Sequence, residues 1–209
     1  MMNENKISMN GFELPVVEEF YSLQGEGRYA GTAAYFVRLA GCDVGCHWCD
    51  SKPSWFMQTE QLTSVDEIVK RAVNIPSHHF VLTGGEPFYY NLEPLSSQLK
   101  EKNIFTHIET SGTSPYSGTW DWICLSPKPW HPPLPEFFQK AHELKIVIQT
   151  INDFKWANSC QKHVSPQCLL YLQPEWSVFN NIVPVMVEYI KQHTQWSISL
   201  QTHKFMKIP

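Results

Sequence analysis

The sequence lacks the features that are typical of membrane proteins, of nucleic-acid-binding proteins and of secreted proteins. No apolar run approaches the about 20 residues that a membrane-spanning helix needs. There is no basic stretch either, because 16 Lys and Arg face 20 Asp and Glu, which gives a formal net charge of −4. We therefore expect no membrane insertion and no nucleic-acid groove. Residues 1–6 lack the apolar core of a secretory signal, so we expect a cytoplasmic protein whose cysteines stay reduced.

The length of 209 residues suits one domain. A chain of this size buries about 70% of the surface that its unfolded form exposes. We interpret residues 1–209 as a single domain in which residues 1–13 form an N-terminal extension. Repeats and low-complexity segments are not found in the sequence, and the 15 prolines indicate many loops around a compact core.

The most informative motif is C-x-x-x-C-x-x-C, formed by Cys42, Cys46 and Cys49. An apolar segment, residues 35–40, comes directly before it, so we place the cysteines on a loop that follows a strand. Four thiolates close a metal site, whereas three leave one coordination position for a ligand that the protein does not supply. The motif therefore indicates a metal centre with an open position.

A structural zinc site is the alternative for the same cysteines. It would need a fourth ligand nearby, and His47 lies within the spacer, where its ring cannot easily turn back. Cys124, Cys160 and Cys168 are scattered without pair spacing. Any of them could serve as a distant fourth ligand, although nothing in their spacing favours it.

Strands and helices alternate along most of the chain. Strands are predicted over residues 16–20, 35–40, 80–83, 105–110, 122–125, 144–148, 169–172 and 196–201. Helices are predicted after Ser64, around residues 92–99 and over residues 178–193. This alternation predicts right-handed crossovers and a parallel sheet. Because a complete eight-fold barrel takes about 250 residues, we predict an α/β fold with a partial, trimmed βα barrel of about six units.

The first of these helices has a sequence signal at its start. Ser64 and Glu67 have the spacing of a capping box, in which each side chain satisfies a free backbone N–H of the first turn. The apolar residues that follow fall on one helical face: Val65, Ile68, Val69, Ala72 and Val73.

Polar or glycine-containing clusters follow five of the predicted strands. They are the cysteine loop and residues 83–86, 109–112, 126–128 and 173–175. In barrel folds, ligands bind at the C-terminal ends of the strands. The clusters therefore predict one ligand site at that edge of the sheet.

The turn Gly84-Gly85-Glu86-Pro87 makes the interpretation more specific. Downstream of the cysteine motif, it resembles the turn by which radical S-adenosylmethionine (SAM) enzymes hold the amino group of SAM. From residue 22 to the C-terminus the chain resembles, more narrowly, the 7-carboxy-7-deazaguanine synthases of the queuosine pathway. The motifs that carry this resemblance are residues 23–27, 36–38, 49–51, 83–87, 109–112, 126–128 and 199–204.

The resemblance implies a barrel of the radical SAM type and a radical SAM lyase. The family converts 6-carboxy-5,6,7,8-tetrahydropterin to 7-carboxy-7-deazaguanine with loss of ammonia, and uses SAM, a 4Fe–4S cluster and Mg²⁺. It also implies an external electron donor such as a flavodoxin, and a homodimer. In such enzymes the cofactor carries the chemistry and the protein supplies binding and orientation. We therefore assign no catalytic residue beyond the cofactor ligands.

The resemblance also implies roles for individual positions. The metal ligands are Cys42, Cys46 and Cys49 for the cluster and Ser51 for Mg²⁺. The cofactor-binding residues are Trp48, Cys49, Asp50, Gly85, Ser126, Pro127, Lys128, Gln173, Pro174, Glu175 and Trp176. The substrate-binding residues are Leu23, Gln24, Gly25, Arg38, Thr83 and Pro209. Isolated histidines, namely His79, His107, His131 and His203, are assigned no role.

Two of these predictions have a physical basis of their own. Arg38 lies in an apolar strand, where its charge must be paired or face a cavity. Its planar guanidinium suits a carboxylate or a pterin edge, and a structural salt bridge is the alternative. For Pro209, the resemblance implies that the chain ends in the pocket, where a terminal carboxylate could accept hydrogen bonds from the amino-pyrimidinone edge of the pterin. A frayed tail, the usual fate of termini, is the alternative. The family often has a glycine near the position of Lys207, where this chain departs from the pattern.

Two other classes of function are compatible with the cysteine motif. A glycyl-radical-activating enzyme shares it together with a similar Gly-Gly-Glu-Pro turn, but acts on a partner protein. The motif at residues 23–27 and the hydroxyl of Ser51 favour the synthase. A non-enzymatic electron-transfer module is disfavoured by the open metal position and by the five clusters at strand ends.

Overall fold

The computed structural model describes residues 10–57 and 62–209. The strands are β1 (Glu13–Leu23), β2 (Ala33–Leu39), β3 (Leu62–Ser64), β4 (His79–Gly84), β5 (Phe105–Thr110), β6 (Trp122–Leu125), β7 (Glu143–Ile148), β8 (Leu169–Pro174) and β9 (Trp196–Ile198). The helices are α1 (Val65–Val73), α2 (Glu93–Glu101), α3 (Pro135–Lys140), α4 (Asp153–Gln161), α5 (Phe179–Gln192) and α6 (Thr202–Met206). In the described part of the chain, no helix combines the length and the apolar character needed to cross a membrane.

The described strands form one open sheet in the order β3-β1-β2-β4-β5-β6-β7-β8-β9. From β2 to β9 all neighbours are parallel. The two strands at the other edge, β1 and β3, are antiparallel to their neighbours. This arrangement confirms the predicted α/β fold and the partial barrel.

The two faces of the sheet have different compositions because side chains alternate along each strand. Apolar residues at every second position, such as Leu82, Ile108 and Ile146, pack in the hydrophobic core that the helices cover. The positions between them face the concave side, where Thr83 of β4, Glu109 of β5 and Lys145 of β7 line a cavity. The concave face of the barrel is therefore polar, which suits ligand binding rather than packing.

Helix α1 begins as predicted. The Oγ atom of Ser64 accepts a hydrogen bond from the backbone N–H of Glu67 at 3.3 Å. Of the five residues assigned to the apolar face, four are buried. The prediction is wrong for Val73, which is 47% exposed, because it is the last residue of the helix and lies at the edge of that face.

Several predicted boundaries are wrong. Strand β1 has 11 residues rather than five, because it pairs with both β2 and β3. The last strand ends at Ile198 and not at residue 201. The sequence interpretation also missed β3, α3, α4 and α6, of which α3 and α6 are too short to show helical periodicity. Of the predicted extension over residues 1–13, residues 1–9 lie outside the described residues.

Candidate active site

A cavity of about 700 Å³ opens at the C-terminal ends of the parallel strands. It is lined by nearly every residue that the sequence predicted to bind a ligand. These are Leu23, Gln24, Gly25, Arg38, Cys42, Cys46, Trp48, Cys49, Asp50, Ser51, Thr83, Gly85, Ser126, Lys128, Gln173, Pro174, Glu175, Trp176 and Pro209. Pro127 is the exception. Its side chain lines a small neighbouring cavity, and its carbonyl accepts a hydrogen bond from Trp156 at 3.2 Å.

Backbone hydrogen bonds hold the cysteine loop over this cavity. The N–H of Gly41 donates to the carbonyl of Ser54 at 2.7 Å, and that of Cys49 donates to the carbonyl of Cys46 at 2.9 Å. Two donors point at the sulfur of Cys49: the indole N–H of Trp55 at 3.3 Å and the backbone N–H of Ser51 at 3.4 Å. Donors in this arrangement stabilise a thiolate.

The thiols of this loop fit a cluster better than a zinc ion. All six cysteines are free, and Cys124, Cys160 and Cys168 do not line the cavity, so no fourth thiol joins the loop. Within residues 10–57 and 62–209, no three His, Cys, Asp or Glu side chains converge on one metal ion. A 4Fe–4S cluster does not need such convergence, because each cysteine binds a different iron.

Two further observations concern metal binding by this loop. The ring of His47 is exposed, with Nε2 3.1 Å from Oε1 of Gln149, so it is not turned toward the cysteines. Burial raises the pKa of the Cys42 thiol and raises that of Cys46 to about 11. Without a metal these thiols therefore stay protonated at neutral pH, and metal binding must release their protons.

Gly85 lies where β4 meets the cysteine loop. Its N–H donates to the carbonyl of Leu39 at 2.9 Å, and a Cβ atom added to Gly85 would lie 2.0 Å from the carbonyl oxygen of Gly41. The requirement for glycine thus comes from contact between two loops of the protein. The predicted contact of Gly85 with SAM remains a prediction that its place in the cavity wall allows.

The neighbouring Glu86 is fully buried and joins β4 to the end of β5. Its carboxylate accepts hydrogen bonds from the N–H of Phe88 at 3.1 Å, the hydroxyl of Thr110 at 2.6 Å and the N–H of Ser111 at 2.8 Å. The hydroxyl of Ser111 donates to it as well. Glu86 therefore fixes the spacing of the two loops that border the cavity.

Arg38 forms the salt bridge that was the structural alternative, and it also lines the cavity, so its contact with a ligand stays a prediction. Its Nε lies 2.5 Å from Oε1 of Glu18, which is a salt bridge, and its Nη1 donates to the hydroxyl of Ser51 at 2.9 Å. Both Arg38 and Ser51 line the cavity. The guanidinium is thus oriented by Glu18 and points toward the proposed magnesium ligand.

A polar cluster lies deeper in the barrel, and the sequence interpretation missed its charged members. We call it the Lys145 cluster, and it consists of Gln24, Glu26, Glu109, Lys145 and Gln201. Nζ of Lys145 lies 2.5 Å from Glu26 and 2.8 Å from Glu109. Gln24 donates to Glu109 at 3.3 Å and Gln201 donates to Glu26 at 2.8 Å.

Electrostatics favour the ionised forms of Glu109 and Lys145 in this cluster. Burial opposes the charge of Glu109, but the adjacent Lys145 and His107 outweigh it and lower its pKa. Burial likewise opposes the charge of Lys145, but the acidic groups around it raise its pKa well above that of a free lysine. The deep wall of the cavity therefore carries two carboxylates and one ammonium group.

Two lysines lie at the rim on the side of the cysteine loop. Nζ of Lys128 lies 5.7 Å from the centre of the Trp48 ring and donates to the hydroxyl of Ser126 at 2.9 Å. Burial lowers the pKa of Lys128. Lys204 donates to the carboxylate of Asp50 at 2.9 Å, a contact that the sequence did not predict.

The end of β8 and the residues that follow it close the other side of the cavity. The amide oxygen of Gln173 accepts a hydrogen bond from the hydroxyl of Ser199 at 2.9 Å, and the Glu175 carboxylate accepts one from the N–H of Ser177 at 3.0 Å. Trp176 is 40% exposed and packs against the rings of Phe179 and Phe205. This wall is thus built by the protein and leaves the Trp176 ring partly open to a ligand.

The C-terminal tail returns to the cavity. Ile208 and Pro209 line it, and the hydroxyl of Ser22 donates to the Pro209 carbonyl oxygen at 3.0 Å. Lys207 adopts a left-handed conformation, with φ 55°, which turns the chain inward at the end of α6. The N–H of Ile208 then donates to the carbonyl of His203 at 3.2 Å. In this structure the tail is not frayed.

His203 is a further residue that sequence reasoning did not assign. It lines the cavity, and a Cβ atom on Gly25 would lie 2.0 Å from its Nδ1, so the glycine allows the imidazole to approach. Burial lowers the pKa of His203. Lys145 could have been found from the sequence, because it lies in an apolar strand and the argument used for Arg38 applies to it equally. Glu26 and Glu109 lie in the motifs at residues 23–27 and 109–112, but the sequence interpretation assigned neither of them a role.

Comparison with known proteins gives consistent results at three levels. A family model of the radical SAM superfamily matches residues 37–155. The 7-carboxy-7-deazaguanine synthase of Flavobacterium psychrophilum is 46% identical over 95% of this chain and 94% of its own length. The enzyme of the same name from Synechocystis is 44% identical over 93% of each. The crystal structure of QueE from Escherichia coli superposes with a TM-score of 0.84 at 27% identity, over 95% of this chain and 100% of that chain.

Proposed function

This chain belongs to the 7-carboxy-7-deazaguanine synthases of the radical SAM superfamily, and we propose that it converts 6-carboxy-5,6,7,8-tetrahydropterin to 7-carboxy-7-deazaguanine with loss of ammonia. The observation that carries the proposal is one cavity lined by three free thiols, a guanidinium beside a hydroxyl, and the C-terminal tail. The reaction needs no net oxidant, because substrate and product differ only by ammonia.

Cys42, Cys46 and Cys49 would bind three irons of a 4Fe–4S cluster and leave the fourth iron to SAM. When bound, the cluster and SAM supply the one-electron chemistry that removes a hydrogen atom from the substrate. The protein orients the participants. Trp55 and Ser51 donate hydrogen bonds to the sulfur of Cys49, and Glu86 fixes the loops on either side.

The remaining cofactor-binding residues would surround SAM. Lys128 and Ser126 present an ammonium and a hydroxyl at one wall, and Nζ of Lys128 lies 5.7 Å from the centre of the Trp48 ring in the cysteine loop. Asp50 and Trp176 lie at the rim, where Lys204 contacts both of them. Pro127 lines the small neighbouring cavity, and we propose that it completes this wall through its place between Ser126 and Lys128.

The substrate carboxylate would bind between Arg38 and Mg²⁺. Mg²⁺ prefers oxygen ligands, and it binds oxygen atoms of the substrate when the protein supplies few ligands. The Ser51 hydroxyl supports this assignment because it lines the cavity 2.9 Å from Nη1 of Arg38. A guanidinium and a divalent cation on one carboxylate would fix its position while excluding water.

The pterin ring would occupy the space between the Lys145 cluster and the tail. Leu23, Gln24, Gly25 and Thr83 line this space, and the carboxylate of Pro209 can accept N–H groups of an amino-pyrimidinone edge. Adding ten residues after Pro209 tests the tail. The extension should raise KM for the pterin while SAM binding is retained, and unchanged activity would remove the tail from the site.

We also propose the partners that the family implies. Radical SAM chemistry requires an external reductant, and a flavodoxin-like protein is the proposed donor. A cytoplasmic location would keep the six free cysteines reduced, and the functional unit would be a homodimer.

Anaerobic reconstitution tests the function directly. The protein, reconstituted with iron and sulfide, is mixed with SAM, dithionite, Mg²⁺ and the carboxytetrahydropterin, and the products are identified by mass spectrometry. We expect 7-carboxy-7-deazaguanine and ammonia, with no product from Cys46→Ala, whereas Cys160→Ala, outside the cavity, should remain active. A colourless wild-type protein that contains zinc would contradict the proposal.

The glycyl-radical-activating alternative is not supported. Such an enzyme would have to admit a polypeptide, whereas Ile208 and Pro209 of this chain line the cavity. Relatives that match nearly the whole chain carry the synthase name.

A further inference from the structure

Lys145 is the most deeply placed cation of the cavity. It lies in β7 and is 4% exposed, and its side chain reaches the concave face of the sheet, where it lines the cavity. A lysine this buried is rare unless its charge is paired. Here it is paired twice, with Glu26 at 2.5 Å and with Glu109 at 2.8 Å.

The two carboxylates come from different parts of the fold. Glu26 follows β1, and Glu109 lies near the end of β5. No hydrogen bond between the two carboxylates is observed among the described residues, and Lys145 is the group that contacts both. Without it, two anions would share a mostly buried space, and mutual repulsion would separate or neutralise them.

The carboxylates keep the capacity to accept further hydrogen bonds. Oε2 of each faces Lys145, while Oε1 of Glu26 accepts from Gln201 and Oε1 of Glu109 accepts from Gln24. Each carboxylate has about four lone-pair sites, so both can accept N–H groups from a ligand. Both also line the cavity.

We propose that Lys145 is a positioning residue that holds Glu26 and Glu109 as a fixed pair of acceptors for N–H groups of the substrate's amino-pyrimidinone edge, in addition to the acceptor that the C-terminal tail supplies to that edge. The inference deepens the proposed function and rests on it. An acceptor pair of fixed spacing favours a planar ring that carries adjacent N–H donors over one that carries carbonyl oxygens. Lys145 acts through the carboxylates and does not itself touch the reacting atoms.

Other charged groups around the cluster could influence the same carboxylates. Nε2 of His107 lies 3.5 Å from Glu109. The remaining groups are Cys124 of β6, Glu143 of β7, Lys128 after β6 and His203 of α6. His107 and Lys128 do not replace Lys145. Among the described cations, only Lys145 forms ion pairs with both carboxylates.

The test compares Lys145→Met with the wild-type holoenzyme loaded with cluster and SAM and kept without reductant, so that binding is measured without turnover. Binding of the carboxytetrahydropterin is followed by calorimetry between about pH 6 and 8.5, a range in which free carboxyls stay ionised. We expect wild-type binding to be nearly independent of pH. In Lys145→Met we expect affinity to fall by roughly tenfold or more at neutral pH, because a buried charge has lost its partner.

The sign of the pH effect in the variant follows from burial. Without the ammonium, burial raises the pKa of Glu109, so the protonated fraction grows as the pH falls. Substrate affinity of Lys145→Met should therefore weaken further toward pH 6 and recover toward pH 8.5. SAM affinity should stay within about twofold of wild type, since among the described residues Lys145 donates hydrogen bonds to Glu26 and Glu109 and to none of the proposed SAM-binding residues.

Two additional measurements keep the result interpretable. The infrared carbonyl stretch of a protonated carboxyl should appear in Lys145→Met and be absent from wild type, and this readout does not require any substrate. The double variant Lys145→Met/Glu26→Gln removes one charge of each sign, so it should fold if the single variant does not. It should also bind the pterin with a weaker pH dependence than Lys145→Met, because Glu109 is still buried without the ammonium but is no longer repelled by Glu26.

The outcomes separate the two proposals. If wild type fails to bind the pterin while the infrared band still appears only in Lys145→Met, the proposed function fails and the electrostatic role of Lys145 stands. Unchanged pterin affinity in Lys145→Met overturns the positioning role. A loss shared equally by SAM and pterin and independent of pH overturns it too, because it would indicate general disruption of the barrel.

Discussion

The indole nitrogen of Trp55 lies 3.3 Å from the sulfur of Cys49, and its N–H points at that sulfur. Trp55 follows the cysteine loop, and its carbonyl accepts a hydrogen bond from the N–H of Cys42 at 3.3 Å. One residue thus supports the loop through its backbone and one of the proposed cluster ligands through its side chain. Hydrogen bonds to ligand sulfur raise the reduction potential of an iron–sulfur cluster.

Replacing Trp55 by phenylalanine should therefore make the cluster harder to reduce. We expect Trp55→Phe to lower the potential by tens of millivolts while the cluster content is retained. A redox titration followed by electron paramagnetic resonance measures this. Trp122→Phe is the matched control, because the Trp122 indole donates to Glu143 rather than to a cysteine. A potential equal to that of wild type would exclude a role for the indole N–H.

Glu86→Gln should destabilise the protein. The carboxylate accepts four hydrogen bonds from Phe88, Thr110 and Ser111, and an amide nitrogen at one of its two positions would face donors instead of accepting from them. We expect the free energy of unfolding to fall by about 2–3 kcal/mol, the cost of leaving buried polar groups unsatisfied. Urea denaturation measures it. Glu101→Gln, on the exposed end of α2, should change it by less than about 0.5 kcal/mol, and equal effects would refute the interpretation.

Lys207→Gly should hold the C-terminal tail more firmly. Lys207 has φ 55°, a conformation that costs a residue with a Cβ atom about 1–2 kcal/mol and glycine very little. Part of this stabilisation is lost because glycine has more conformational freedom in the unfolded chain. We therefore expect a net stabilisation of the folded tail by about 0.5–1 kcal/mol. Hydrogen exchange of the Ile208 N–H, which donates to His203, should slow by about two- to fivefold.

A second left-handed residue gives the control for this change. Asn103 has φ 56°, and asparagine tolerates the conformation better than lysine does. Asn103→Gly should therefore stabilise its own turn less than Lys207→Gly stabilises the tail. Faster exchange of Ile208 in Lys207→Gly would show that the side chain of Lys207, rather than its backbone angle, holds the tail.

The buried His79 should make the free energy of unfolding depend on pH. It is buried against Tyr29 and Phe105, and burial, with the nearby His107, lowers its pKa to about 4. An unfolded histidine binds a proton below about pH 6.5, whereas the native one does not, so stability falls as the pH drops from 6.5 toward 4. By linkage, this histidine alone should lower the free energy of unfolding by about 2 kcal/mol at pH 5 and by almost nothing at pH 8.

His79→Phe should remove that dependence. The new ring can occupy the aromatic surroundings, and it leaves no buried nitrogen without a partner, as Nε2 of His79 is now. Relative to wild type, the variant should gain more stability at pH 5 than at pH 8 when unfolding by urea is compared at the two values. A gain that is the same at both would show that packing, and not protonation, is the cause.

Parts of the fold could be predicted from local signals because their causes are local. The Ser64 cap, the apolar face of α1 and strand β5 depend on residues within a few positions of one another. The short helices α3 and α6 and the full length of β1 depend on tertiary contacts, so the sequence did not reveal them.

By itself, the sequence predicted the metal chemistry and the edge of the sheet at which the candidate ligands lie. The spacing of Cys42, Cys46 and Cys49 limits what they can bind, and clusters after parallel strands must meet at one edge. Only the tertiary structure decided which charges meet below that edge. Lys145 lies 119 positions from Glu26 and 36 from Glu109 in the chain, and they come into contact because the curved sheet turns alternate side chains inward. No local pattern encodes that encounter, since it depends on the relative placement of three segments of the barrel.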